Sequence, residues 1–356
     1  MKIHDLEYSI FRLVRLLRGK LFRARQQRKF RPGNFLRFSG AAFLIFYSLS
    51  IVPVEGYPAA GSVTNETTAG EVKGDQAIAA EPTPVITPES SFMPLLTPPP
   101  WRLAEASSAA EMTAKAVILY DVPSATILYE NNQSLPLPPA STTKIVTALV
   151  ALNNFSPAEE VIVPAACLNI NGSQMSLVAD ESITVLNLLY GLLVASASDA
   201  ACALANHGGF TTETFVNLMN EEALRIGTTQ THFTNVIGLD EVNGEHTSTA
   251  EDLLKITQAA LRNETFRLIV ATRNITVSSV DAKKWHTLKT TNELLGSLPG
   301  ITGVKTGLTE KARGCLIAHY ERDGRDLISI VLGSDDRFGE TKSLLSWALN
   351  SYRWID

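Results

Sequence analysis

The sequence is poor in the residues that build metal and disulfide frameworks. Its only cysteines are Cys167, Cys202 and Cys315, an odd number with no C-x-x-C pair. That pattern indicates neither a disulfide framework nor a zinc site, so all three are expected as buried, small apolar residues. The histidines, His4, His207, His232, His246, His286 and His319, are scattered and no H-E-x-x-H is present. A metalloenzyme is therefore not indicated, and neither metal nor other cofactor is expected. No G-x-S-x-G elbow occurs and no histidine is marked by its surroundings, which argues against a Ser-His-Asp hydrolase. Basic excess is missing too: 31 Lys and Arg face 36 Asp and Glu, for a net charge of −5. What positive charge there is concentrates at the N-terminus, so a nucleic-acid partner is not expected.

That N-terminal concentration is informative. From Met1 to Arg37 the chain carries Lys2, Arg12, Arg15, Arg18, Lys20, Arg23, Arg25, Arg28, Lys29, Arg31 and Arg37 against Asp5 and Glu7. An apolar run, Gly40 to Val54, follows. Positive charge ahead of an apolar run orients it with the basic end inside, so residues 1–39 read as a cytoplasmic tail and the remainder as exported. The run is shorter than the ~20 residues of a comfortable membrane helix, although Phe35, Leu36 and Phe38 extend it around Arg37. An uncleaved anchor and a cleaved signal both fit residues 40–54. The long basic arm and the lack of a clean A-x-A site favour the anchor. Residues 55–106, rich in Pro, Ala, Thr, Ser, Gly and Glu, read as an extended spacer with no core of its own. The catalytic region is expected over 107–356.

Strand patterns occur at both ends of that region. Ala116 to Tyr120 and Thr126 to Glu130 form a hairpin about Asp121-Val122-Pro123-Ser124. Gly303 to Gly307, Cys315 to Tyr320 and Leu327 to Leu332 follow later, the last two joined at Arg322-Asp323-Gly324-Arg325. Helical patterns lie between: Thr142 to Leu152, Val185 to Val194, Ala200 to His207, Thr214 to Ile226 and Ala250 to Leu261, with a terminal helix from Gly339 to about Trp354. The fold class is α+β: an antiparallel sheet built from both ends, flanking terminal helices and an inserted, mainly helical lobe, with a cleft where sheet and lobe meet.

Three short motifs carry chemistry. Ser141-Thr142-Thr143-Lys144 follows Pro138-Pro139-Ala140 and enters an apolar helix. A serine and a lysine three apart share a helical face, so a desolvated, neutral amine can take the hydroxyl proton. Ser196-Ala197-Ser198-Asp199 reads as a tight corner between two helices, with Asp199 positioned to cap the second. Gly303-Val304-Lys305-Thr306-Gly307 is a strand in which Lys305 and Thr306 suit a carboxylate. Its Gly307 leaves room for a second backbone along the edge. Each motif alone has an ordinary structural reading; their order and spacing together are specific.

From about Ala110 onward the chain resembles the low-molecular-weight D-alanyl-D-alanine carboxypeptidases, the serine peptidases related to penicillin-binding protein 5. Further likeness lies in Leu188-Leu189-Tyr190-Gly191-Leu192-Leu193, Phe233-Thr234-Asn235 with Gly238-Leu239-Asp240, Pro299-Gly300, and Val331-Leu332-Gly333. The resemblance implies a transpeptidase-like fold, stem peptides of peptidoglycan ending in D-Ala-D-Ala as substrate, and β-lactams as covalent inhibitors. It implies Ser141 as nucleophile, Lys144 as proton acceptor and Ser196 as proton relay to the leaving D-alanine. Lys305 and Thr306 would bind the terminal carboxylate, with Arg337 assisting, and the amides of Ser141 and Leu308 would form the oxyanion hole.

Two departures from the family pattern stand out. Ser198 replaces the usual asparagine, exchanging an amide for a shorter hydroxyl, which at about 1 kcal/mol per hydrogen bond implies altered kinetics rather than inactivity. The chain stops at Asp356, without the small β-domain and amphipathic tail of many relatives, and the N-terminal segment would take over tethering. Three other readings compete. A class A β-lactamase would use Glu213-Thr214-Phe215-Val216-Asn217, which comes too soon after Ser196. A silent peptidoglycan binder has only Ser198 in its favour, and endopeptidase action differs from carboxypeptidase action only beyond the scissile bond.

Overall fold

The computed structural model describes residues 97–109, 111–240 and 245–355. The basic segment 1–39, the apolar run 40–54 and most of the spacer lie outside them. Among the described residues no helix is long and apolar enough to cross a membrane.

Five antiparallel strands form the central sheet in the order β3-β2-β10-β9-β8. They are β2 (Ala116–Asp121), β3 (Thr126–Asn131), β8 (Ile301–Thr309), β9 (Arg313–Arg322) and β10 (Arg325–Ser334). Both ends of the region thus contribute, as the strand patterns predict. Both faces are covered, which is why β2 reads as the unbroken apolar run Ala116-Val117-Ile118-Leu119. Alternate residues face opposite ways along a strand. Ile118, Ile317, Ile328 and Ile330 join the core shared with the helices. Val117, Leu119, Leu316 and Val331 meet Leu344, Leu345 and Ala348 of the terminal helix α7 (Arg337–Ser351). Each such side chain contributes about 1.5–3 kcal/mol on full burial.

The inserted lobe holds α1 (Lys144–Asn154), α2 (Val185–Val194), α3 (Ser198–Ala205), α4 (Thr212–Ile226), α5 (Ala250–Leu261) and α6 (Glu264–Val270), with the short strand pairs β4 (Glu160–Ile162) with β5 (Ser182–Thr184) and β6 (Asn274–Ser278) with β7 (Trp285–Lys289). Helix α1 is buried on every side from Lys144 to Ala151, as expected of a helix at the centre of a core. Helix α4 shows its limits in sequence: Thr211 and Thr214 form a reciprocal cap, and Gly227 ends it at φ 94°.

Two expectations are corrected. The packed unit begins inside the stretch read as spacer, because β1 (Trp101–Arg102) pairs with β11 (Tyr352–Arg353) and the Trp347 indole donates to Ser107 O at 2.8 Å. Cys167 and Cys202 form a disulfide. The turn at Ala165–Cys167 returns the chain to α3, a long-range approach that an odd cysteine count conceals. Only Cys315 is the buried, unbridged residue expected of all three.

Candidate active site

The segment Ala140–Thr143 is a tight 3-10 turn, and the α-helix begins at Lys144, two residues later than the Thr142 start its pattern suggests. Residues three apart eclipse in a 3-10 turn, so Ser141 and Lys144 stack more directly than on an α-helix. Lys144 Nζ lies 3.1 Å from Ser141 Oγ and donates to Ile237 O at 2.8 Å. The lysine is only 2% exposed. Burial brings its pKa down from 10.5 to about 7, partly opposed by the Asp199 charge.

Lys305 arrives from the edge strand β8, 1% exposed, and its ammonium donates to Ser196 Oγ and Thr306 O, both at 2.9 Å. Burial, and then the positive charges of Lys144 and Arg337, hold its pKa well below the usual lysine range. A carboxylate entering the cleft would supply the missing counter-charge. Thr306 shares a 2.6 Å hydrogen bond with Thr291. Ser196 sits in the left-handed region at φ 58°, a conformation that costs a non-glycine residue energy and that aims its hydroxyl at Lys305. The structure therefore brings Ser141 and Lys144 together on one side, and Ser196, Lys305 and Thr306 on the other.

One predicted detail, the cap at Asp199, changes, and the surroundings of the other motif residues become visible. Gly307 is also required inside the protein: a Cβ there would stand 2.8 Å from Ala140 Cβ and 3.0 Å from Ser141 N. Asp199 is not the cap of α3; Ala197 is, and the Asp199 carboxylate accepts from Met175 N and Leu177 N at 3.0 and 3.1 Å. Ser198 is buried beside Gly172, and its hydroxyl makes no hydrogen bond to Lys144 among the described residues. Arg337 opens α7 with its guanidinium over the Phe338 ring, 4.6 Å from the centroid, and its Nε has no hydrogen-bond partner among the described residues. Leu308 follows Gly307 on β8 with its side chain 64% exposed.

The segment that joins these parts is noticed in the sequence only as family likeness, with no role assigned to it. Residues 233–240 run across the base of the turn, and Asn235 Oδ1 accepts from the amides of Ile237, Gly238 and Leu239 at 3.2, 2.7 and 3.2 Å. That knot presents Ile237 O to Lys144 and Val236 O to Thr147 Oγ1, the latter at 2.8 Å. Gly238, at φ 82°, lies so close to the Ala140–Thr143 turn that a Cβ would stand 1.9 Å from Ala140 O. Asp240 then accepts from Thr309 Oγ1 at 2.6 Å and Lys311 N at 2.9 Å, tying the segment to the end of β8. The quoted Phe-Thr-Asn and Gly-Leu-Asp residues were the only available signal, and they do not reveal which main-chain oxygen they aim.

The sequence pattern of the D-alanyl-D-alanine carboxypeptidase family matches residues 103–336. The chain belongs to this family. D-alanyl-D-alanine carboxypeptidase DacF of Bacillus subtilis is 31% identical over 248 residues, covering 67% of this chain and 63% of its own length. The D-alanyl-D-alanine carboxypeptidase of Streptomyces sp. strain K15 is 36% identical over 225 residues, covering 59% and 77%. DacB2 of Mycobacterium tuberculosis is 34% identical over 245 residues, covering 67% and 83%. This chain thus spans just under two thirds of the Bacillus relative and more of the other two. The solved structure of the Streptomyces K15 DD-transpeptidase superposes with a TM-score of 0.64 at 32% identity, covering 68% of this chain and all of that one.

For a member of the D-alanyl-D-alanine carboxypeptidase family the arrangement is chemically coherent. An amine with a pKa near neutrality accepts a hydroxyl proton while remaining a strong enough acid to return it. Among the described residues no cluster of metal-ligating side chains occurs.

Proposed function

We propose that this protein is a serine D-Ala-D-Ala carboxypeptidase that removes the terminal D-alanine from peptidoglycan stem pentapeptides. The observation that carries the reading is the 3.1 Å approach of Lys144 Nζ to Ser141 Oγ in a site that holds the lysine near pKa 7. In this mechanism the Ser141 hydroxyl passes its proton to the neutral Lys144 amine, and Oγ attacks the carbonyl of the penultimate D-alanine. The amides of Ser141 and Leu308 stabilise the oxyanion as it forms. The C–N bond then breaks as the proton held by Lys144 passes through Ser196 to the leaving amine, and water hydrolyses the Ser141 ester, its protons going to Oγ and to the product carboxylic acid. Lys305, Thr306 and Arg337 receive the terminal carboxylate.

The N-terminal segment is proposed to tether the catalytic unit outside the cytoplasm. The basic residues before 40–54 support that orientation, and so does the Cys167–Cys202 disulfide, since such bonds persist in oxidising compartments. β-Lactams would acylate Ser141 in place of substrate.

The test is release of D-alanine from a diacyl-Lys-D-Ala-D-Ala peptide by the full chain beside Ser141→Ala. Release that vanishes in the variant is expected; release from both would refute the assignment. The likeness to the Streptomyces K15 DD-transpeptidase motivates adding glycylglycine as acceptor. A product carrying that amine, formed at the expense of free acid, would move the reading from hydrolysis to transfer.

A further inference from the structure

Of the titratable groups that the mechanism above leaves unused, one touches the nucleophile turn. His246 is 2% exposed and its Nε2 lies 2.8 Å from Thr143 Oγ1. Thr143 Oγ1 in turn donates to Ala140 O at 2.8 Å. On the far side of the ring, Nδ1 lies 3.0 Å from Thr234 N, 3.2 Å from Thr234 Oγ1 and 3.5 Å from Asn235 Nδ2.

These partners determine where the protons sit. A carbonyl oxygen only accepts, so the single Thr143 hydroxyl proton is committed to Ala140 O. Thr143 Oγ1 must then accept from His246, which places a proton on Nε2. The Thr234 amide only donates, so Nδ1 is unprotonated. His246 thus links the 233–240 segment, through Thr143 Oγ1, to Ala140 O.

Ala140 O belongs to the peptide unit whose nitrogen is Ser141 N. Because that unit is planar, fixing the carbonyl fixes the direction of the Ser141 N–H. The unit is under constraint: Ala140 is in the left-handed region at φ 48°, and Gly238 and Gly307 close on its two sides. A non-glycine residue in that region persists only where its surroundings over-determine it.

We propose that His246 is a positioning residue for catalysis, which through Thr143 holds the Ala140–Ser141 peptide so that the Ser141 amide points at the developing oxyanion. The proposal rests on the reading of Ser141 as nucleophile. Its effect belongs to the acylation step, since an oxyanion donor matters most once charge has formed.

The experiment compares acylation by benzylpenicillin in His246→Asn and His246→Gln. Asparagine can accept from Thr234 N but is too short to reach Thr143, whereas glutamine can donate to Thr143. Removing a direct oxyanion donor costs about 100- to 1000-fold, so an indirect loss in His246→Asn is expected at roughly tenfold in the acylation constant, with the preceding non-covalent affinity unchanged. His246→Gln is expected to stay within about threefold of the native chain. Thr143→Val should repeat the asparagine result, Thr143→Ser should not, and the double variant Thr143→Val/His246→Asn should lose no more than either single one.

Equal losses in the asparagine and glutamine variants, losses that multiply in the double variant, or a loss confined to binding would overturn the proposal. Should His246→Asn fail to fold, the Thr143→Val and Thr143→Ser pair decides by itself. A native chain that takes no penicillin label and releases no D-alanine overturns the nucleophile reading and this proposal with it. A labelled native chain with equal variants overturns this proposal alone.

Discussion

The acylation rate should follow the deprotonation of Lys144. A lysine at 10.5 has roughly one neutral amine in 3000 at pH 7, whereas one near 7 is about half neutral. Burial is the main cause, and the Asp199 charge works in the opposite direction. The sign follows: the neutral amine is the base, so acylation falls as pH drops through the Lys144 pKa. The pseudo-first-order rate of acylation by benzylpenicillin, measured from pH 5 to 10 under subsaturating conditions, reports the free enzyme. It should rise about tenfold per unit well below pH 7 and flatten by about pH 8. A rate that keeps climbing to pH 10 would mean a lysine of ordinary basicity. A flat rate from pH 5 upward would mean that Lys144 is not the base. Either result refutes the argument from burial.

Further outcomes follow from the same geometry. Gly307→Ala puts a methyl group 3.0 Å from Ser141 N, so acylation should fall tenfold or more while the melting temperature moves by only a few degrees; unchanged acylation would show that the approach relaxes freely. Lys305→Ala should lower kcat/KM for peptides with a free C-terminal carboxylate by roughly 100-fold, and much less for the C-terminal amide. Equal losses on acid and amide would reject carboxylate binding. Replacing both Cys167 and Cys202 by alanine opens a link across 35 residues and should cost about 3–4 kcal/mol, read as a shifted denaturation midpoint. An unshifted midpoint would mean that the bond adds nothing to native stability.

Much of the architecture was legible because its elements are long and strongly patterned. Strands β2, β9 and β10 carry apolar residues on both faces, and α1 is apolar all round, so each could be placed within a few residues. The motif residues were legible because side-chain chemistry is written in residue type. Main-chain chemistry is not: nothing about isoleucine marks Ile237 as the residue whose carbonyl holds Lys144. Asp199 looked like a cap because local spacing suggests one, and a long-range demand from Met175 and Leu177 claimed it instead. The Cys167–Cys202 pairing depends on the return of a loop to α3, which composition does not encode. Likewise Trp101 and Arg102 pair only because the end of the chain comes back to them.

The central claim is that Ser141 forms a covalent acyl-enzyme activated by Lys144. Intact-mass measurement of the full chain after exposure to benzylpenicillin, followed by peptide mapping, tests it most directly. The account predicts one penicilloyl group, carried on the peptide containing Ser141, absent from Ser141→Ala and slowed at least 100-fold in Lys144→Ala. A penicilloyl group on any other residue, or labelling that survives in Ser141→Ala, would contradict it.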